Sequence, residues 1–259
     1  MIAVEKVDFI GVPVRDYGTA DPWFGDTLAL WERNPRSTDR WVEFEAPNVT
    51  LALVPDAYTQ GEFRPLPFAA LAVRVDDVDA ERERLAAAGV EFGRESFDSG
   101  VCKGAVFTGI DGTGMLLHHR YAPFADGRAP DAPRGRIDFV AIPTQDRDAA
   151  DRFYSETLGL ERNPSSTDAW VEFETGNVTL ALVEPESIGQ PFEPLPGGAV
   201  ALRVAHVEAA KAELEESGVE FPGGLIDSGV CHIAPLSDPA GNGLMLHRRY
   251  APFSDGTQP

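Results

Sequence analysis

The sequence is poor in cysteine, poor in basic residues and free of long apolar runs. Its 259 residues include two cysteines, Cys102 and Cys231, which are too few and too far apart for a disulfide framework, so free thiols are expected. No stretch approaches the roughly 18–20 apolar residues of a membrane span. Glu5 and Lys6 also interrupt the start before a signal-peptide hydrophobic region could form. These absences predict a cytoplasmic location and no membrane contact.

Basic residues are scarce relative to acidic ones. The chain has 22 Lys and Arg against 42 Asp and Glu, which gives a formal net charge of -20 at pH 7. Because nucleic-acid binding normally relies on clustered Lys and Arg, a nucleic-acid partner is not expected. The charge either keeps the protein soluble or attracts cationic ligands. With 43% hydrophobic residues, the chain has the composition of a folded globular protein.

The second half of the chain repeats the first at an offset of about 129 residues. The segment ERNPRSTDRWVEFEAPNVTLALV, which starts at Glu32, returns as ERNPSSTDAWVEFETGNVTLALV from Glu161, with 19 of 23 positions identical. Residues 128–135 lie between the copies and are rich in Gly, Pro and charge, a composition typical of linkers. The duplication predicts two domains, residues 1–127 and residues 136–259.

Each copy shows the same alternation of strand and helix signals. In the second copy, Ile137 to Pro143 is predicted as a strand and Asp146 to Leu158 as a helix whose acidic start suits the helix dipole. The order βαβββ occurs twice in each copy. The predicted fold is therefore α+β, with four βαβββ units, two in each domain. In the first copy, Pro22 suits only the first turn of a helix, so a shorter helix is expected there.

Three motifs follow one another in the second copy. FYSETLGL starts at Phe153, ALRVAHVEAA at Ala201 and DPAGNGLMLH at Asp238. Together with the βαβββ order, they resemble the vicinal oxygen chelate (VOC) superfamily, the group of glyoxalases, bleomycin-resistance proteins and extradiol dioxygenases. The resemblance covers nearly the whole chain, twice, although the first copy has GIDGTG in place of DPAGNG. It implies two glyoxalase-like half-barrel domains, each made of a pair of units with helices outside and a ligand cavity on the concave face.

The resemblance also implies a divalent metal ion, held by His, Gln or Glu side chains. Matched onto this chain, those ligand positions carry apolar residues. The first-strand position falls on Phe9 and Phe139, the fifth-strand position on Ala70 and Ala199, the final-strand position on Leu116 and Met245, and the fourth-strand position near Ala52 and Ala181. Apolar side chains do not supply the donors that Fe, Mn, Ni or Zn require. No metal site and no cofactor are therefore expected.

A small-molecule pocket with apolar walls and a few polar groups is expected instead. Strand alternation selects the residues that share the concave face. The candidate ligand-binding residues are Phe9, Trp41, Glu43, Arg74, Leu116, Arg120, Phe139, Trp170, Glu172, Arg203, Met245 and Arg249. In each copy, the glutamate and the first arginine of this set either form an ion pair across the concave sheet or contact the ligand. The two tryptophans either belong to the core or stack on a planar ligand.

The catalytic candidates are two cysteine–histidine pairs, Cys102 with His118 and Cys231 with His247. Folding the last two strands back about the turn near Ala240 places Cys231, His247 and the following arginine on one face, and the repeat does the same in the first copy. A thiol beside a histidine is able to act as a nucleophile, but no third group that would orient the histidine is evident. Alternatively, the histidines are hydrogen-bonded packing residues and the cysteines are small buried hydrophobes.

Three functional hypotheses follow. The first is metal-independent binding of a small aromatic or cationic molecule in the concave pocket. The second is a lyase, isomerase or extradiol dioxygenase with a displaced divalent metal, held by His118 or His247 with Glu43 or Glu172. The third is metal-free acid–base isomerisation by the cysteine–histidine pairs. The expected partner is a small molecule, and the chain is predicted to be a monomer or a homodimer.

Overall fold

The computed structural model describes residues 2–56, 62–253 and 255–259, which form four units of the βαβββ order. Unit 1 contains β1 (Val4–Val14), α1 (Tyr17–Pro22), β2 (Glu32–Arg33), β3 (Val42–Glu45) and β4 (Thr50–Pro55). Unit 2 contains β5 (Leu71–Arg74), α2 (Val78–Ala87), β6 (Phe97–Asp98), β7 (Cys102–Thr108) and β8 (Gly114–Arg120). Unit 3 contains β9 (Ile137–Pro143), α3 (Arg147–Arg152), β10 (Glu161–Arg162), β11 (Val171–Glu174) and β12 (Thr179–Val183). Unit 4 contains β13 (Val200–Val204), α4 (Val207–Glu216), β14 (Ile226–Asp227), β15 (Cys231–Ser237) and β16 (Gly243–Arg249).

Aspartates begin three of the four helices. The side chain of Asp16 accepts a hydrogen bond from the Thr19 amide, Asp146 accepts one from Ala149, and Asp77 accepts two at the start of α2. Each aspartate satisfies amides that the first helical turn leaves without a partner. Within the described ranges, no helix is long and apolar enough to cross a bilayer.

The first helix of the first copy is not shorter than its counterpart. Both α1 and α3 span six residues, and both continue as π-helical turns, Trp23–Leu28 and Phe153–Thr157. Pro22 is the last residue of α1. The expected shortening is therefore wrong, because the proline comes where the α-helical hydrogen bonds end in both copies. Two short 3-10 helices, Ile110–Gly112 and Pro185–Ile188, complete the helical segments of the described chain.

The strands form two eight-stranded sheets, ordered β14-β15-β16-β13-β1-β4-β3-β2 and β10-β11-β12-β9-β5-β8-β7-β6. In the first sheet, β1 pairs antiparallel with β13 and parallel with β4. In the second, β9 pairs antiparallel with β5 and parallel with β12. We call units 1 and 4 the first half-barrel, and units 2 and 3 the second half-barrel. The sheets confirm the predicted α+β fold of four units in two half-barrels.

The units are grouped differently from the sequence-based expectation. Consecutive units are expected to share a half-barrel, and this is wrong, because each sheet takes strands from both copies of the repeat. The first strands of the two copies are nearly the same, KVDFI from Lys6 and RIDFV from Arg136. Their edges therefore do not specify whether a unit pairs with its neighbour or with a distant unit. The division of the chain at residues 128–135 stays a prediction about the sequence repeat.

The two faces of each sheet have different surroundings. One large hydrophobic core contains buried side chains from all four units, including Ile10, Leu71 and Leu202. A smaller apolar cluster in the second half-barrel contains Ala72, Leu116, Phe139, Ala141 and Ala181. Leu71 and Ala72 are neighbours in β5, so the large core and the small cluster lie on opposite faces of the sheet. The face with the small cluster is the concave face.

Two equivalent asparagines connect the half-barrels. The Asn48 side chain donates to the carbonyls of Ile137 and Asn177 at 2.9 and 2.8 Å and accepts from the Ile137 amide at 3.0 Å. Asn177 does the same in return, donating to Val7 and Asn48 at 2.9 and 2.8 Å and accepting from the Val7 amide at 2.9 Å. Each asparagine thus ties its own unit to the first strand of the other half-barrel.

Candidate functional site

Each concave face carries a wall of three aromatic rings. In the second half-barrel, Phe139 meets His118 and Trp170 edge to face, with both ring centroids 5.4 Å from its own. In the first half-barrel, Phe9 lies 5.2 Å from His247 and 6.1 Å from Trp41 in the same arrangement. The structure thus brings two of the predicted ligand-binding residues together in each half-barrel, a phenylalanine and a tryptophan, with a candidate catalytic histidine beside them.

A glutamate lies beside each tryptophan. The Trp41 Nε1 donates to Glu43 Oε1 at 2.6 Å, and the Trp170 Nε1 donates to Glu172 Oε1 at 2.7 Å. Burial raises the pKa of both glutamates, because the charged form loses solvation. Trp41 remains 37% exposed, which is unusual for so large an apolar side chain. The ring and the carboxyl group are therefore both presented at the concave surface.

An arginine faces each glutamate from the last strand of the partner unit. Arg120 and Arg249 lie over the rings of Phe124 and Phe253, at 4.6 and 4.5 Å from the ring centroids. Their positive charges act on Glu172 and Glu43 respectively. The Nε of each arginine is buried and has no hydrogen-bond partner in the described part of the chain.

An aspartate orients each candidate histidine. The His118 Nδ1 lies 2.6 Å from Asp138 Oδ2, and the His247 Nδ1 lies 2.6 Å from Asp8 Oδ2. Burial alone would lower the pKa of each histidine, but the hydrogen bonds to the aspartate and to the cysteine of the same half-barrel raise it to about 9. Both imidazoles are therefore held as cations near neutral pH.

The sequence analysis did not assign Asp8 and Asp138 to the site. Both lie in the repeated first strand, where a carboxylate stands among apolar neighbours in KVDFI and RIDFV. A buried charge needs a partner. A carboxylate that occurs in both copies of a core strand was therefore the sequence signal that could have identified these two residues. The partner of each was not evident, because the histidine comes from a unit of the other copy.

The arginines expected to pair with the glutamates have other partners. Arg203 donates from Nε to Asp8 Oδ1 at 2.5 Å, and Arg74 donates from Nη2 to the Pro130 carbonyl at 2.7 Å. The expected ion pairs of Glu43 with Arg74 and of Glu172 with Arg203 are wrong. The two members of each pair belong to different half-barrels, because consecutive units do not share a sheet.

The positions that would hold a metal ion do not fit one. Phe139, Leu116 and Ala181 lie together in the apolar cluster of the second half-barrel. In the first half-barrel, Phe9 packs against aromatic rings, and Met245 pairs with Pro235. No group of three or more His, Cys, Asp or Glu side chains within the described ranges is placed to hold a metal ion. We therefore derive no step that uses a metal.

The face predicted for the cysteine–histidine pairs is confirmed by the strand register. Cys231 lies opposite Arg249, and Ile233 lies opposite His247, so Cys231, His247 and Arg249 share one face. In the second half-barrel, Cys102 lies opposite Arg120 in the same way. Both cysteines are free and half-buried.

Comparison with known sequences gives matches to less than half of the chain. A model of the Glyoxalase/Bleomycin resistance protein/Dioxygenase superfamily matches residues 136–246. An uncharacterised protein of Mycolicibacterium smegmatis is 31% identical over 112 residues, which are 43% of this chain and 91% of that protein. The region that matches lies within the duplicated part of the sequence.

Solved structures of the same architecture cover nearly the whole chain. Glyoxalase I from Zea mays has a TM-score of 0.65 at 16% identity and covers 93% of this chain and 92% of its own. A candidate dioxygenase from Bacillus subtilis has a TM-score of 0.66 at 13% identity and covers 100% of this chain and 90% of its own. At these identities the likeness shows the fold and not the activity. The sequence match, the duplication and the two half-barrels together make this chain a tandem member of the glyoxalase/bleomycin resistance protein/dioxygenase superfamily.

Proposed function

We propose that the chain binds small planar aromatic molecules that carry a cationic group, one on each concave face, without a metal ion. The observation that carries this proposal is the repeated wall of phenylalanine, tryptophan and glutamate. It occurs in both half-barrels with nearly the same ring geometry.

The wall offers two kinds of contact at once. A flat ring stacked on Trp41 or Trp170 would remove apolar surface from water, and a cation beside it would interact with the indole face. The neighbouring glutamate has a raised pKa because it is buried. A bound cation would favour its charged form, so cation binding and ionisation of the glutamate would reinforce each other. The net charge of -20 attracts cations to the protein as a whole.

The donors named for a displaced metal ion are engaged elsewhere. The Nδ1 atoms of His118 and His247 bind aspartates. One carboxyl oxygen of Glu43 and of Glu172 accepts from tryptophan. Among the residues that the structure describes, no group of three or more His, Cys, Asp or Glu side chains is placed to hold a metal ion, so the arrangement favours ligand binding through shape, stacking and charge.

Titration with proflavine, a planar aromatic cation, and with the neutral acridone tests the proposal by calorimetry and tryptophan fluorescence. We expect two proflavine sites with micromolar affinity, about -8 kcal/mol each. Trp170→Ala should remove one site and leave the other, while Trp41→Ala should remove the other. Glu172→Gln should weaken proflavine binding about tenfold at one site and leave acridone binding unchanged. No binding of either compound at millimolar concentration would contradict the proposal.

A further inference from the structure

Each half-barrel aligns a carboxylate, an imidazole and a thiol on its concave face. In the second half-barrel, Gly104 lies opposite His118 in the antiparallel ladder, and Cys102 lies opposite Arg120. Cys102 is therefore a diagonal neighbour of His118 on the same face. The two side chains interact electrostatically, and the imidazole binds Asp138 through Nδ1. Because Asp138 occupies Nδ1, Nε2 is the ring atom left for the thiol.

This order of groups activates a thiol. The aspartate fixes the orientation of the imidazole and keeps it protonated, and the imidazolium stabilises the thiolate form of the neighbouring cysteine. The side chains of His118 and Asp138 are 9% and 15% exposed, so most solvent is excluded from their contact. Ser99 Oγ lies 3.1 Å from Cys102 Sγ, within hydrogen-bond distance, and either atom is able to donate. Burial acts to raise the pKa of Cys102, but the hydrogen bonds with His118 and Ser99 lower it overall.

The other titratable groups near this pair are Glu172, Arg120 and Tyr121, and Arg136 Nε lies 3.9 Å from Asp138 Oδ1. Glu172 and Arg120 interact with each other electrostatically, Glu172 also interacts with His118, and Tyr121 interacts with Cys102. Hydrogen bonding to Asp98 raises the pKa of Tyr121, which keeps it neutral near pH 7. The guanidinium of Arg120 is therefore the group that would stabilise an oxygen anion formed beside Cys102.

We propose that Cys102 is a nucleophile, activated by His118 and positioned through Asp138, that adds covalently to conjugated carbonyl compounds bound on the concave face. This inference rests on the proposed binding face and adds a reaction to it. A thiolate is a soft nucleophile that prefers the β-carbon of an enone. The planar conjugated system fits the ring wall, and its carbonyl oxygen gains negative charge where Arg120 lies.

The reaction needs no oxidant, reductant or second substrate. It starts from the Cys102 thiolate and the protonated His118. The Sγ forms a bond to the β-carbon of the enone, and the π electron pair of the C=C bond moves to give an enolate. The Nε2 proton of His118 then goes to the α-carbon. The product is a thioether beside a neutral imidazole, so the thiol has added across the double bond, and the reverse elimination releases the ligand.

The first half-barrel provides an internal control. Cys231, His247 and Asp8 occupy the same places, but the serine beside the thiol is bonded differently. Ser228 Oγ lies 2.9 and 3.1 Å from the amide and the carbonyl of Cys231, much as Ser99 does at Cys102, but within the described residues only Ser99 also contacts the sulfur. In addition, Asp8 forms a close ion pair with Arg203 at 2.5 Å, whereas Asp138 lies 3.9 Å from Arg136. We therefore expect Cys231 to react more slowly than Cys102.

The test measures alkylation of the whole chain by iodoacetamide and by the aryl enone benzylideneacetone, with the adducts assigned by peptide mass spectrometry. At pH 7, Cys102 should react at least about tenfold faster than Cys231 with both reagents. The rate at Cys102 should persist below the pH at which an ordinary thiol loses reactivity. Asp138→Asn should slow Cys102 about tenfold at pH 7 and move its pH profile towards that of a free thiol. Asp8→Asn is the matched control and should leave Cys102 unchanged.

Several results would overturn the proposal. One is the result that, in wild-type protein, Cys102 and Cys231 are alkylated at the same rate as the cysteines of the unfolded chain. This comparison does not depend on whether any variant folds. Another is rapid iodoacetamide reaction at Cys102 with no enone adduct. An enone adduct in a protein that fails to bind proflavine supports the reaction and contradicts the proposed cation binding, so the two proposals fail separately.

Discussion

The two concave faces carry the same residues but hold them in place differently. In the first half-barrel, Arg203 and His247 share Asp8. In the second, Asp138 binds His118 and lies 3.9 Å from the partly exposed Arg136, while Arg74 binds the Pro130 carbonyl instead. The segment at residues 128–135 passes beside β5, where the Gly135 amide donates to the Arg74 carbonyl. The linker therefore supplies Arg74 with a hydrogen-bond partner that Arg203 does not have. As a result, the two copies of the repeat have different charge networks.

The segments that follow the last strand of each copy of the repeat, β8 and β16, differ in the same way. After β16, Asp255 forms an ion pair with Arg36 at 2.7 Å. After β8, the Ala125 amide donates to the Ser165 hydroxyl at 3.1 Å. Arg36 and Ser165 are equivalent positions of the repeat. A single substitution between the copies has thus replaced an ion pair by a weaker neutral contact.

Removing the shared carboxylate should give the largest difference between the halves. Asp8→Ala leaves Arg203 and His247 without their anion, and arginine does not lose its proton to compensate, so the free energy of unfolding should fall by about 3–5 kcal/mol. Asp138→Ala should cost about 1–2 kcal/mol, because His118 is able to deprotonate. Urea denaturation followed by fluorescence measures both. Equal losses would show that Arg203 does not depend on Asp8.

The histidines predict a loss of stability at alkaline pH. Their pKa in the folded protein is about 9, above the ordinary 6.5. A raised pKa contributes stability that is fully present below pH 6.5 and is lost as the pH rises through 9. Each histidine should contribute roughly 2 kcal/mol to this loss. Urea denaturation at pH values from about 6 to about 10 measures this loss. The free energy of unfolding should depend less on pH in each aspartate variant than in wild type.

The asparagine pair should behave identically in the two halves. Asn48→Ala and Asn177→Ala each remove three hydrogen bonds to the other half-barrel, two to its first strand and one to the carbonyl of the equivalent asparagine. Each should lower the free energy of unfolding by about 1–2 kcal/mol. Urea denaturation of the single and double variants measures the effect. A difference between the single variants larger than the measurement error would show that the junction is not symmetric.

The segment after β16 should give the smallest effect. Arg36→Ala removes its ion pair with Asp255 and its contact with the Phe253 ring. Both groups are substantially exposed, so global stability should not change measurably. Amide hydrogen exchange of residues 255–259 should become faster, while exchange at residues 123–128 in the other half-barrel serves as the unchanged control. Unaltered exchange in both segments would contradict the role assigned to Arg36.

The elements of the fold were predictable from local patterns. The strand predicted from Ile137 to Pro143 has those bounds in the structure. The shared face of Cys231, His247 and Arg249 followed from alternation about one turn and is confirmed by the register. Such inferences need only residues that are close in sequence, where side-chain periodicity determines which face each residue occupies.

The assembly of the units was not predictable, and the site depends on it. Asp8 and His247 are 239 positions apart, and their contact requires units 1 and 4 to share a sheet. The two copies present nearly identical strand edges, so the choice among the possible pairings is made by the whole fold and its linker. The different partners of Arg74 and Arg203 depend on that choice as well.

The interleaved pairing has a consequence for how the chain folds during its synthesis. The ribosome releases unit 1 first, yet the partner of β1 in the first sheet is β13, which is made after units 2 and 3. The second half-barrel is able to form while the edge of β1 that pairs with β13 is still exposed and unpaired. An unpaired strand edge is a template for association with another chain. Newly made protein is therefore most vulnerable to mispairing with other nascent copies until unit 4 emerges.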